Sequence, residues 1–158
     1  MKNIRMVLLG QLVLLMLVFA ILVFGSSFGI SATLWFVDLP SFILIIMILI
    51  PGLIIMREWK DFLKAFSVGI RKYRLLELKN IIEAVDAAQK LTVFGALLAI
   101  IVSAIMILGQ INNLEVIGPN LAVCMISGLY AVIIEFFLLP LRLNAERRMN
   151  EEMDLEDE

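Results

Sequence analysis

Four long apolar runs constrain this chain more than any other feature: about Met6–Phe24, Thr33–Met56, Leu91–Gly109 and Val116–Leu141. Each reaches the roughly 20 residues that cross a hydrocarbon core at 1.5 Å per residue. Within a bilayer each peptide group must be satisfied inside its own segment, so the runs predict helices and not strands. Composition agrees: the chain is 62% hydrophobic with a mean hydropathy of +1.02, well above a soluble domain. The expected class is an all-α integral membrane protein of four transmembrane helices, forming one membrane domain over residues 1–158.

A net charge of -2 hides a segregated pattern. All 13 Lys and Arg lie in three places: Lys2 and Arg5, the segment 57–90, and Arg142–Arg148. The short connectors around 25–32 and 109–115 carry none. The positive-inside rule then places both termini and the central segment in the cytoplasm, with two outward hairpins. Met1–Phe24 has the charged start of a signal peptide, but its apolar run is too long and no A-x-A-like site follows. It reads as the first helix. In the central loop, 57–90, Phe62, Phe66, Ile70 and Tyr73, then Leu75, Leu78, Ile82 and Val85, recur at helical steps. One or two amphipathic helices are expected there, broken near 67–69, continuing the neighbouring spans or lying at the inner membrane face. The acidic tail, 149–158, is expected to be solvated and without regular structure.

Histidine is absent and Cys124 stands alone. That removes His-based nucleophile pairs, the commonest zinc ligand and any disulfide framework, so no enzyme activity, metal or cofactor is expected. No nucleic-acid partner is expected either.

The stretch Asn113–Arg148 looks like the element around which the other spans pack. Gly118-Pro119 reads as its helix start and Pro140 as its close. Glu135 is an ionisable group inside the span, a costly placement that marks a functional candidate. The plainer reading sets it close enough to the cytoplasmic face to reach water or to pair with Arg142. Ser127 offers a hydroxyl to a passing ion or simply bonds the carbonyl four residues back. Tyr130 suits a subunit seam or core packing. Asp38 is a helix N-cap with Pro40 in the first turn, or else an outer ion collector. Pro51 predicts a kink in the second span, for packing or for gating. Gly95, Ala99 and Ser103 form a small-residue stripe on the third, suited to close helix contact or to a water-lined path.

The string IGPNLAV…SGLY…LLP in the last span resembles the last span of the MotA/TolQ/ExbB proton-channel family, nearest its MotA branch. FVDLPSF at 36–42 is similar to the start of that branch's second span, and AIMILGQINN at 104–113 to the end of its third. The resemblance implies a homo-oligomeric ring, usually a pentamer, around a MotB- or ExbD-like partner with a single span. Such rings sit in the bacterial inner membrane and pass H⁺ or Na⁺ along polar residues to a partner aspartate, converting flow into force. Ser127, Glu135, Ser103, Tyr130 and Asp38 are the ion-pathway candidates it suggests. Pro119, Gly118, Gly128, Pro140, Pro40 and Pro51 are the structural or gating ones. The chain departs from the pattern in three ways. Ser127 and Gly128 stand where the family has paired threonines, and the helix-three hydroxyl position falls near Ile100. Residues 57–90 replace a cytoplasmic domain on the order of a hundred residues, the part that meets the flagellar rotor. A short, non-flagellar member is the expectation, with a non-conducting scaffold of the same type or an unrelated four-span transporter or assembly subunit as alternatives.

Overall fold

The computed structural model describes residues 4–25, 38–68 and 70–156. The expected first hairpin and the start of the second span, through residue 37, lie outside them. The described residues form helices and no strand: α1 (Ile4–Gly25), α2 (Leu39–Ile55), α3 (Trp59–Ala65), α4 (Leu75–Gly109) and α5 (Leu114–Glu156). By length and composition α4 and α5 can each cross a membrane, and α2 with α3 makes a third if that bent pair is one span. Met6–Ile21 is a shorter apolar helix.

The helix at the centre is α4, which corrects the expectation that the others pack around the last span. α5 runs back along α4 as an antiparallel hairpin, and α2 and α3 also pack chiefly on α4. The cause is α4's buried stripe, which runs from Leu78, Ile81 and Val85 to Thr92, Gly95, Ala99 and Ser103. In lipid, apolar bulk gains nothing by burial against another helix, so small residues that admit a neighbouring backbone decide where helices meet. α2 answers with Ser41, Ile45, Leu49 and Leu53 at four-residue steps. A Cβ added at Gly95 would lie 3.0 Å from Ile45 Cα. The stripe is therefore a packing surface. Gly52 is a second close approach, since a Cβ there would meet the Leu91 side chain at 2.8 Å. The larger buried side chains gather at the basic end, where Leu53, Val68, Leu78, Ile81 and Leu141 form one cluster. There water is the alternative solvent, and each such side chain contributes roughly 1.5–3 kcal/mol on burial.

Asp38 caps α2, its carboxylate accepting the Ser41 N–H at 3.2 Å, and Pro40 lies in the first turn. Pro51 sits inside α2 without ending it. The stop comes at Met56–Glu58, where Arg57 N–H donates to Ile54 O at 3.1 Å and Glu58 N–H to Leu53 O at 2.9 Å. This is the Schellman pattern, which needs a left-handed residue after the cap. Arginine fills that position, with Arg57 at φ 64°. The turn sends α3 off at 109° to α2. The amphipathic segment then divides as its periodicity suggested: α3 stays short, and residues 75–90 fuse with the third span into α4.

α5 differs from expectation at both ends. It begins at Leu114, because Asn113 Oδ1 accepts the Glu115 N–H at 3.1 Å, and Gly118-Pro119 falls inside the helix. It also runs through Pro140 to Glu156, so neither the expected close nor the irregular tail is found up to that residue. The tail is rich in Glu, Met and Leu, good helix formers, and Arg148 pairs with Glu151 at 3.2 Å. Proline within a helix leaves the carbonyl four residues back without its donor. For Pro140 that carbonyl is Phe136 O, and Gln11 Nε2 of α1 donates to it at 2.8 Å. A single glutamine in an apolar helix thus completes the backbone of another.

Two outcomes follow for thermal denaturation of the detergent-solubilised protein. Arg57→Gly removes the cost of a left-handed non-glycine residue and is expected to stabilise by about 1 kcal/mol. Gln11→Leu is expected to destabilise by about 1–2 kcal/mol. In a Pro140→Ala background it is expected to cost almost nothing, because the backbone N–H restored at that position serves Phe136 O. Equal losses in both backgrounds would show that Gln11 does not act through that carbonyl.

Candidate functional site

Two clusters of polar residues lie in the apolar region, about 12 Å apart along α5 at 1.5 Å per residue. The first joins the start of α2 to the middle of α5. Ser41 and Ser127 are 2% and 0% exposed, and their hydroxyl oxygens lie 3.0 Å apart. Ser127 Oγ is also 2.7 Å from Val123 O, and one hydroxyl proton cannot serve both acceptors in full, so it is shared between them. Ser41 in turn donates its hydroxyl proton to the Asp38 carboxylate. Tyr130 closes the group: its phenol oxygen accepts the Asp38 N–H at 2.7 Å, and its ring meets Phe42 edge-on at 5.8 Å.

This geometry places several candidates. Ser127 makes the back-bond and adds a contact to α2, through Ser41, a residue the sequence reading passed over. Tyr130 packs against α2 of the same chain. Ser103 is 4% exposed on the buried stripe of α4, and belongs to neither cluster. Gly128 and Gly118 have open space where a Cβ would be, so neither is required by packing within the chain.

The second cluster lies where the apolar run of α4 gives way to its polar first half. Glu135 Oε2 accepts from Gln89 Nε2 at 2.7 Å. Its other oxygen, Oε1, is buried and has no hydrogen-bond partner among the described residues. Arg142 does not pair with Glu135, one of the two options of the plainer reading. Its guanidinium holds Asp86 at 3.1 Å and Glu146 at 2.9 Å, and reaches Gln89 Oε1 at 3.5 Å. Gln89 therefore stands between acid and base: it donates to Glu135 while accepting from Arg142. Asp86, before the apolar run of α4, also pairs with Lys90 at 2.6 Å. The Lys90 hydrogen bond, with help from the charges of Lys90 and Arg142, holds its carboxyl below the ordinary value. Asp86 and Gln89 were missed because on sequence they look like the wet face of an amphipathic helix. Gln11 had a signal, as the one polar side chain between Arg5 and Gly25.

Chemically, the first cluster is a closed hydroxyl chain ending on a carboxylate. The second is a carboxylate with one oxygen unpaired among the described residues, set beside a half-buried amide and a fixed positive charge. Among the described residues no three of His, Cys, Asp and Glu converge on a possible metal position. Comparison of the chain with family models, with curated proteins and with solved structures finds no match.

Each of Ser41→Ala and Ser127→Ala is expected to lower stability by roughly 0.5–1 kcal/mol, with a coupling of about 0.6 kcal/mol in the double variant, as for hydroxyl contacts between membrane helices. Strict additivity in thermal or denaturant unfolding would show that the two hydroxyls do not interact.

Proposed function

We propose that this chain is a subunit of a bacterial inner-membrane ion-channel or motor complex of the MotA/TolQ/ExbB type. In this reading α1 and α2 complete a four-span subunit with both termini in the cytoplasm. The subunit assembles as a ring, a pentamer by resemblance, around a single-span partner. It passes H⁺ or Na⁺ and turns that flow into work on the partner. The observation that carries the reading is Glu135: an acid inside an apolar helix, tied to Gln89 by one oxygen, with the other buried and without a partner among the described residues. A buried acceptor without a donor calls for a proton, a cation, a water or a neighbouring subunit. The bare flanks of the hairpin also support assembly. Only 28% of the most apolar stretch of α4 and 11% of that of α5 is buried within the chain.

A second reading, an oligomeric scaffold of the same type that does not conduct, is favoured by one specific observation. Ser127 is taken up by Ser41 of α2 and by its own helix, and Ser103 is buried within its own chain, so neither offers its hydroxyl to a central path.

Native mass spectrometry of the protein purified alone is expected to give a pentamer; a monomer or dimer under mild conditions would overturn the ring. Proteoliposomes carrying a pH-sensitive dye then separate the two readings. Conduction predicts a proton leak that falls at least tenfold in Glu135→Gln and changes less than twofold in Ser127→Ala. A pentamer with no leak above that of empty liposomes, with or without a sodium gradient, would select the scaffold.

A further inference from the structure

We propose that the segment joining α2 to α4 is a binding site for an anionic glycerophospholipid, at the membrane surface facing the basic end of α2. Three observations meet there. The first is direction. α3 leaves α2 at 109°, so if α2 crosses the membrane, α3 lies close to the membrane plane. The second is its double character. Residues 57–74 contain six basic residues against two acidic ones, Glu58 and Asp61. Yet Leu63 is 50% exposed, Phe66 43% and Ile70 59%. A short segment that exposes large apolar side chains beside several cations matches the boundary between headgroups and acyl chains, where each finds its own solvent.

The third observation is a cleft of about 430 Å³ that gathers both characters, lined by Lys60, Leu63, Lys64, Ser67, Ile70 and Arg71, with Tyr73 at its edge. Lys64 is engaged by Asp61 at 2.7 Å and by Glu77 at 4.0 Å. Lys60 and Arg71 form no ion pair among the described residues. They supply the uncompensated charge, with Ser67 and Tyr73, whose oxygens are 2.8 Å apart, as neutral partners. Phosphate oxygens suit this set, and arginine in particular. Beside Phe66 begins a second cleft, of about 450 Å³, walled by Leu8, Leu12, Phe137, Leu138 and Leu141 and almost free of polar surface. Free phosphate would use only the first cleft. A lipid uses both, with the headgroup on Lys60 and Arg71 and an acyl chain along α1 and α5. The clefts share no lining residue, but Phe66 of the second directly precedes Ser67 of the first and stands one helical turn from Leu63. This adjacency of a basic and an apolar cleft assigns the lipid. This site does not depend on whether the protein conducts ions.

The test is native mass spectrometry of the full chain in detergent, titrated with phosphatidylglycerol, with phosphatidylcholine and with inorganic phosphate. Phosphatidylglycerol is expected to bind more tightly than phosphatidylcholine and to resist competition by millimolar phosphate. A basic residue near an anionic surface contributes about fivefold in affinity, so Lys60→Gln with Arg71→Gln is expected to weaken phosphatidylglycerol binding about 25-fold. Both side chains are exposed, so the double variant keeps the fold. Lys79→Gln with Arg147→Gln, which removes two exposed charges elsewhere, is expected to change binding less than twofold. Equal affinity for the two lipids, displacement by phosphate, no effect of the first pair or an equal effect of the second would each overturn the site.

Discussion

A peptide group in lipid has no solvent to fall back on, and much of this structure answers that one constraint. Where proline removes an N–H at residue 140, the helix does not stop, because Gln11 reaches across from α1 and occupies the freed carbonyl. Two hydroxyls inside the spans turn back on their own helix: Thr92 on Ala88 at 2.9 Å and Ser127 on Val123 at 2.7 Å. The end of α2 is closed by its own amides, even though this holds an arginine in a left-handed conformation. Each case commits a polar side chain or a strained residue to keeping the backbone paired.

The same constraint divides the molecule along its length. In the apolar region α2 meets α4 closely where Gly95 admits the backbone of Ile45, because close backbone approach is the available source of affinity between helices there. At the basic end, the last turns of α2, α3, the first half of α4 and α5 from Leu138 to Ala145 build a small core of leucine, isoleucine, valine and alanine, as a soluble domain would. Glu135 and Gln89 lie at the join between these regimes. An acid placed there is near enough to fixed charge to be tolerated and far enough from water to keep one oxygen bare. That placement makes it the side chain on which an ion-handling role would turn.

Several features were legible in the residues. The helical class followed from run length, Asp38-Leu39-Pro40 marked the start of α2, and the break in the central segment lay where its apolar period faltered. Other readings failed for identifiable reasons. Pro140 looked like a terminus because proline usually is one, and the rescuing donor lies 125 positions away in the chain. Gly118-Pro119 looked like a start, although Asn113 already supplied the cap. The role of Gln89 could not be read, because a glutamine among charged residues at helical spacing is indistinguishable from surface until its neighbour is known.

By itself the sequence determined what is local: apolar runs that form helices, the caps that start them, and the segregation of cations to one end. Hydrogen bonding within a helix and the cost of charge in lipid depend only on nearby residues, so these properties are written along the chain. Only the tertiary structure decided that α4 is the hub, that Ser127 bonds to Ser41, and that Glu135 answers to Gln89 with Arg142 on the amide's other side. Those outcomes depend on which face of one helix meets which face of another. In lipid that choice rests on the fit of a few small and polar side chains, whose pairing no local pattern records.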